Sequence, residues 1–467
     1  MGFIALGVAL LAVCVFILFS IRSLRVSAPI WVEGPVIGAM EAIRAGRLYQ
    51  MAALKTPPYS VLTHPPIAYY LGYLCYAARP AYWPLRLLNM AATAGCALLI
   101  LKLVRAETQD RLIAPQFAAS CFLVCTPVLV WSQVARSVDS LACLFSLCAL
   151  LAATRLEEGW RRNMAIALFF ALAVLSKQTA LAVLGPTLAF YEVFTRRRPG
   201  RVLWWAAGGL CILVPVVAWF QWRSGGGFLV NVVSGNLVRM TGYQWLLVNR
   251  LLILFWLFVA AVLIVGRWGR SIAYSWFAFS CLFGLATVSK KGSGTMYFFD
   301  SAAAIGILAG FALARALGKR RPLSVAVLCA ALLLETSGVV TWRYLNGARC
   351  EGEYHRMLAF LRAHEPPKGQ ILSEDAGVAV QLGLTPLWDD PFVLNELSLK
   401  GRWDDSRLAA GLHRREYFAV VLRDMDLWPA SMRAELMQQY WPAAVYEVAP
   451  SSYSVYLPFR EPPGPRP

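Results

Sequence analysis

Long apolar runs broken by short polar stretches fill the chain from Phe3 to Trp342. Twelve can be drawn, at 3–21, 66–79, 84–104, 113–131, 139–154, 163–176, 178–195, 203–221, 249–266, 271–289, 297–315 and 322–342. Most approach or exceed the roughly 20 residues needed to cross ~30 Å of hydrocarbon. After Trp342 the pattern changes to an amphipathic helical repeat over Tyr354–Leu361, then strand-like runs at 369–372, 418–422 and 454–457. The pattern predicts an all-α polytopic membrane bundle over 1–342, followed by a small α/β domain over 343–467.

Composition agrees, because 58% hydrophobic and 15% charged residues exclude a water-soluble globule. The net charge of +18 does not point to nucleic acid, since no basic stripe with interleaved aromatics stands outside the loops that flank apolar runs. Those loops instead report topology. If 66–79 is a short re-entrant segment behind Pro65 and Pro66, the clusters at Lys102/Arg105/Arg111, Arg155/Arg161/Arg162, Arg196–Arg198/Arg201, Arg267/Arg270 and Arg315/Lys319–Arg321 all share one face. The positive-inside rule makes that face cytoplasmic. The expectation is therefore about eleven crossings of the inner (cytoplasmic) membrane. The amino terminus lies inside, and the first loop (about 22–83) and the carboxyl-terminal domain lie outside. The run 3–21 has no preceding basic residues and no small-residue cleavage site after it, so it reads as a retained anchor. Ten of the eleven cysteines lie in or against apolar segments, and no Cys/His spacing suggests zinc.

Ionisable residues on the outward face break the positive-inside pattern and are the candidates for chemistry. Glu33 lies on loop one with Glu41, Arg44, Arg47 and Lys55, ahead of His64-Pro65-Pro66, whose prolines set a re-entry angle. Arg136 and Asp139 precede an apolar run, where Asp139 reads equally as a helix cap and as a site acid. Lys177 lies between two apolar segments and requires an anion or a snorkelling path. Lys290 and Lys291, followed by Gly292-Ser293-Gly294 and a helix starting near Tyr297, form a candidate anion site without a Walker pattern. The glycine-containing stretch 222–248, with Arg223 and Arg239, reads as a connector or a substrate cover. The acids at Glu374-Asp375, Asp389-Asp390 and Asp404-Asp405 read as turn organisers.

Glu33-Gly34-Pro35 with Arg44-Ala45-Gly46-Arg47-Leu48-Tyr49, Ala135-Arg136-Ser137-Val138-Asp139, Leu175-Ser176-Lys177-Gln178-Thr179 and Met296-Tyr297-Phe298-Phe299-Asp300 resemble segments of the GT-C glycosyltransferases. The likeness is to bacterial relatives of protein O-mannosyltransferases and lipid A aminoarabinose transferases. Val32 stands where many relatives carry a second acid, and Met296 where they carry Asn. The resemblance implies a GT-C fold and an inverting sugar transfer, at the outer membrane face, from a polyprenyl-phosphate donor to a lipid, polysaccharide or protein acceptor. Glu33 would be the base and Asp139 a second site carboxylate. Lys290, Lys291, Lys177, Arg136, His64 and Tyr297 would meet the donor. No cofactor is specified, and a divalent metal shared by Glu33 and Asp139 stays open. A transporter or flippase of envelope lipids, or a non-catalytic assembly protein, is the alternative, although no repeated halves are visible.

Overall fold

The computed structural model describes residues 1–26, 33–108, 112–266, 271–366, 369–448 and 451–459, with backbone only at 342–350, 427 and 451. Trp31, Val32, Arg111, Arg267, Arg270 and the Cys350 side chain lie outside this description. All twelve apolar runs are helical over most of their length. Six described helices are long and apolar enough to cross a membrane, and a seventh span is possible if Gly242–Leu251 and Ile253–Val265, bent by 66°, act together. Shorter apolar helices run over Ile113–Val124, Ala180–Thr195 and Ile272–Thr287. The chain is a multi-pass membrane protein.

By their contacts the described residues fall into two compact units, 1–25, 64–218 and 239–342 in one, 26–63, 219–238 and 343–467 in the other. In the first unit, packing is inverted relative to a water-soluble core. The Gly2–Arg25 helix buries Ala5, Ala9 and Ala12 and leaves Phe3, Leu10 and Leu18 exposed. Small residues permit close backbone approach where lipid supplies no hydrophobic contrast. Gly306 and Gly310 play the same part on the Phe299–Gly318 helix: a Cβ at Gly310 would stand 2.8 Å from the Ala118 Cβ. The apolar run 113–131 breaks at Cys125 into Ile113–Val124 and Thr126–Trp131. Glu335 repairs the break, accepting from the Thr126 N–H and hydroxyl at 2.7 Å each. Without that acceptor the freed donors would be stranded in an apolar phase.

The second unit is built on four strands, β1 (Gln370–Ser373), β2 (Tyr417–Leu422), β3 (Tyr440–Val448) and β4 (Ser451–Pro458), in the order β1-β2-β4-β3. β1 runs parallel to β2, and the other neighbouring pairs are antiparallel. Three strands match the sequence expectation. β3 was not foreseen, because Pro442 interrupts it and most of its side chains are not buried. The alternation of strand side chains covers both faces. Ile371, Ala419 and Val421 meet Tyr354, Met357 and Leu361 of the Pro322–His364 helix, whereas Leu372, Val420 and Leu422 join a cluster with Leu54, Tyr59 and Val61 of loop one. The 222–248 stretch is largely helical, with Gly227–Val232, Ser234–Asn236 and Gly242–Leu251. Asn231 and Asn236 from it bond the loop-one backbone at Leu62 N (2.8 Å) and Thr63 O (2.5 Å).

Candidate functional site

In the first unit a single amide organises the entry to the Val138–Arg155 helix. Asn89, buried in the Tyr82–Glu107 helix, donates to the carbonyls of Trp131, Val134 and Arg136 at 2.7, 2.9 and 3.1 Å, and accepts from the Ser140 hydroxyl at 2.5 Å. This pins the turn that delivers Arg136 and Asp139. Lys177, at the end of the Trp160–Ser176 helix, donates to Asp139 Oδ1 and lies 5.0 Å from the centroid of the Tyr297 ring. Arg136 Nε stands 4.0 Å from Asp139 Oδ2, and its terminal nitrogen donates to His64 Nε2 at 2.9 Å. Five residues named from sequence, His64, Arg136, Asp139, Lys177 and Tyr297, therefore converge.

A guanidinium can only donate, so His64 Nε2 is an acceptor and the ring is the neutral Nδ1–H tautomer. Burial, then the positive charges of Arg136 and Lys177, hold its pKa well below the usual histidine range. Lys290 adds to that field. The Lys290 loop is tied down by a bridge to Met240 and by Lys291 N–H donating to Arg239 O at 2.8 Å. Lys290 and Lys291 are half-buried. Trp131 closes the other side, donating from its indole to Thr295 Oγ1 at 2.7 Å.

One expectation is revised here. Asp139 lies in the first turn of its helix but makes no capping bond, since Oδ1 is taken by Lys177 and Oδ2 is buried without a hydrogen bond. For Lys177, which is buried, the anion of the two alternatives is met by Asp139. A divalent ion fits poorly at Asp139, which already faces two cations. Among the described residues no three His, Cys, Asp or Glu side chains converge as metal ligands. Asp300, absent from the predicted site, stands within electrostatic range of Lys177 and Asp139. Asn89 was also missed, although a lone amide in the apolar run 84–104 is itself a signal.

Glu33 lies in the second unit. It opens the Glu33–Arg44 helix, where a carboxylate complements the positive end of the helix dipole, and it is fully buried. Asp375, Tyr354 and Tyr453 form the surrounding polar group: the Tyr453 hydroxyl donates to Asp375 Oδ2 at 2.8 Å, and the Glu33 charge acts on both Asp375 and Tyr354. Asp375, Asp390 and Asp404 organise turns as expected, each accepting a nearby backbone N–H at 2.8–3.1 Å. Asp389 departs from that role. It accepts from Ser60 Oγ at 2.6 Å and Val61 N–H at 3.0 Å, 328 residues away in sequence.

Over 99% of its length the chain superposes on 99% of a crystal structure of ArnT from Cupriavidus metallidurans bound to undecaprenyl phosphate, with a TM-score of 0.65 at 14% identity. The fold is that of the GT-C glycosyltransferases. The apo form of the same ArnT gives 0.65 at 16% identity, covering 97% of this chain and 98% of that one. Archaeal AglB from Archaeoglobus fulgidus, in complex with an inhibitory peptide and a dolichol-phosphate, gives 0.55 at 13% identity, covering 98% of this chain and 74% of that one. Residues 63–222 match the family of dolichyl-phosphate-mannose-protein mannosyltransferases. That segment carries His64, Arg136, Asp139 and Lys177 of this chain, and not Glu33, Lys290, Lys291 or Tyr297. No curated protein matches the chain by sequence.

Proposed function

We propose that this chain is an inverting glycosyltransferase that takes a sugar from a polyprenyl-phosphate donor and passes it to a lipid, polysaccharide or protein hydroxyl. The supporting observation is the gathering of His64, Arg136, Asp139, Lys177 and Tyr297, with Lys290 in electrostatic range, inside a GT-C fold. The undecaprenyl phosphate and dolichol-phosphate in the similar ArnT and AglB structures favour a polyprenyl-phosphate carrier here.

In this reading the acceptor oxygen attacks the anomeric carbon, and the bond from that carbon to the phosphate oxygen breaks. The electron pair leaves with the polyprenyl phosphate. Glu33 takes the acceptor proton, and cationic groups among Lys290, Lys291 and Arg136 offset the negative charge that builds on the leaving group. Asp139 holds Lys177 and faces Arg136, keeping the cations oriented while limiting the net positive charge around them. The amino terminus is cytoplasmic, the chain crosses the inner membrane about eleven times, and residues 343–467 form an outer domain against which loop one packs.

The test is mass spectrometry of envelope lipids and glycans from a deletion strain complemented with wild type or Glu33→Gln. Loss of one sugar-bearing species with accumulation of its polyprenyl-linked donor, restored by wild type alone, supports the transferase and names the sugar by mass. Full restoration by Glu33→Gln removes the base. Unchanged envelope glycans in the deletion strain would favour a transporter or an assembly protein.

A further inference from the structure

The second unit contains a contact that the proposed chemistry does not use. Gly34 and Gly38 stand one turn apart on the Glu33–Arg44 helix and therefore share a face. A Cβ at Gly34 would lie 2.4 Å from Asp375 Oδ1 and 3.2 Å from Ala376 N, and one at Gly38 would lie 2.4 Å from the Asp389 Cβ. The helix backbone thus rests directly on two aspartates, at a distance only glycine permits. Both acids are 2% exposed. Asp375 is fixed by Gly377 N–H and Tyr453 Oη at 2.8 Å each, and Asp389 reaches past the helix to Ser60 and Val61, further along loop one. Two stretches of the loop are therefore held by neighbouring parts of one support.

We propose that Asp375 and Asp389 are positioning residues that seat the Glu33–Arg44 helix and thereby set where the Glu33 carboxylate stands. The proposal rests on the reading of Glu33 as the base. A fully buried base has to be reached by its acceptor, so the stability of this seat governs how readily Glu33 is presented.

The seat carries its own pH dependence. Burial is the main cause that pushes Asp389 up to about 7 and Asp375 up to about 6. Ser60 and Val61 N–H oppose the shift at Asp389, and Asp390 is its charged neighbour. Asp375 faces Glu33, Arg423, Tyr354 and Tyr453. An unseated, solvated aspartate titrates near 3.8. The seated form therefore binds the proton more tightly, and seating weakens as pH rises from about 4 through 7. Between pH 6 and 8 the Asp389 titration alone loosens the seat about tenfold.

Hydrogen exchange on the full chain in detergent micelles, normalised for intrinsic rates, reads the seat without any substrate. Amides of 33–44 should be at least about tenfold less protected at pH 8 than at pH 6 in wild type, and Asp389→Asn should cut that difference to about twofold, the share left to Asp375. Gly38→Ala should lower their protection at both pH values while β2 keeps its own. Protection of 33–44 that is independent of pH in wild type, or β2 loosening in parallel with 33–44 in Gly38→Ala, would overturn the proposal. In cells grown across the same pH range, Asp389→Asn should flatten the pH dependence of the sugar-bearing product, and an unchanged profile counts against a role in catalysis. The two readings fail separately: full product from Glu33→Gln removes the base and with it the purpose of the seat, whereas pH-independent exchange at 33–44 removes the seat and leaves the base.

Discussion

Asp139 in the first unit and Asp389 in the second are both buried aspartates, yet the chain satisfies them by opposite means. Asp139 is paired with cations, accepting from Lys177 and facing Arg136. Asp389 has no cation among its recorded partners and is held by a hydroxyl, an N–H and a high proton affinity. A carboxylate meant to stay charged has to bring its counter-charge with it, because an isolated ion in a low-dielectric interior is costly. A carboxyl that can be neutral needs only hydrogen bonds. The first arrangement organises a field of charge, and the second makes a contact that responds to pH.

The sharpest way to break this comparison is to remove a counter-charge. Lys177→Ala should leave Asp139 buried beside Arg136 alone and cost about 3–5 kcal/mol, with loss of product. The double variant Lys177→Ala/Asp139→Ala should recover much of that stability in thermal unfolding but none of the product. Equal stability of the single and double variants would mean that the pair is not what keeps the first unit together. Next in size is Gly227→Ala, whose Cβ would meet Tyr49 O at 2.0 Å and Met51 N at 2.9 Å. Both are backbone atoms that cannot swing aside, so overpacking should cost roughly 1–3 kcal/mol and loosen exchange in 49–54 and 227–232.

Stability against pH sharpens the other side. Asp389 and Asp375 have folded pKa values above 3.8, so the folded second unit holds more protons than the unfolded chain in between. Their contribution is complete below about pH 4 and is lost by about 6 for Asp375 and 7 for Asp389. Exchange in β2, read as global opening of this unit, should accelerate over that window, and Asp389→Asn should remove the upper part of the slope. A rise in stability from pH 4 to 7 would sink the neutral-acid account. The smallest effect should come from Arg433→Ala, which breaks a solvent-facing pair with Asp426 at 3.2 Å and should change stability by less than about 1 kcal/mol.

How far the site was legible depended on how each residue is used. Asp139, Lys177 and Arg136 stood out because they sit at the edges of apolar runs, on the face that the positive-inside pattern leaves poor in charge. Asn89, an amide within an apolar run, gives a weaker signal. Asp375 and Asp389 gave none, since acids beside turns are ordinary in a polar domain and nothing local shows that Gly34, Gly38 and Ser60 will arrive against them. β3 escaped because Pro442 and its many unburied side chains blur the two-residue alternation on which strand reading depends.

Hydropathy alone determined that this is a helical membrane protein with a polar α/β region after residue 342, because transfer from water to hydrocarbon acts on each segment independently of its neighbours. The partition into units did not follow from hydropathy. Drawn from sequence, loop one (about 22–83) belongs with the membrane module, whereas in the structure residues 26–63 share their contacts with 343–467. Only the tertiary structure could decide which distant polar groups would meet. Hydrogen bonds such as Asp389 to Ser60, and ion pairs such as Lys177 to Asp139, depend on ångström distances between segments that are far apart in the chain.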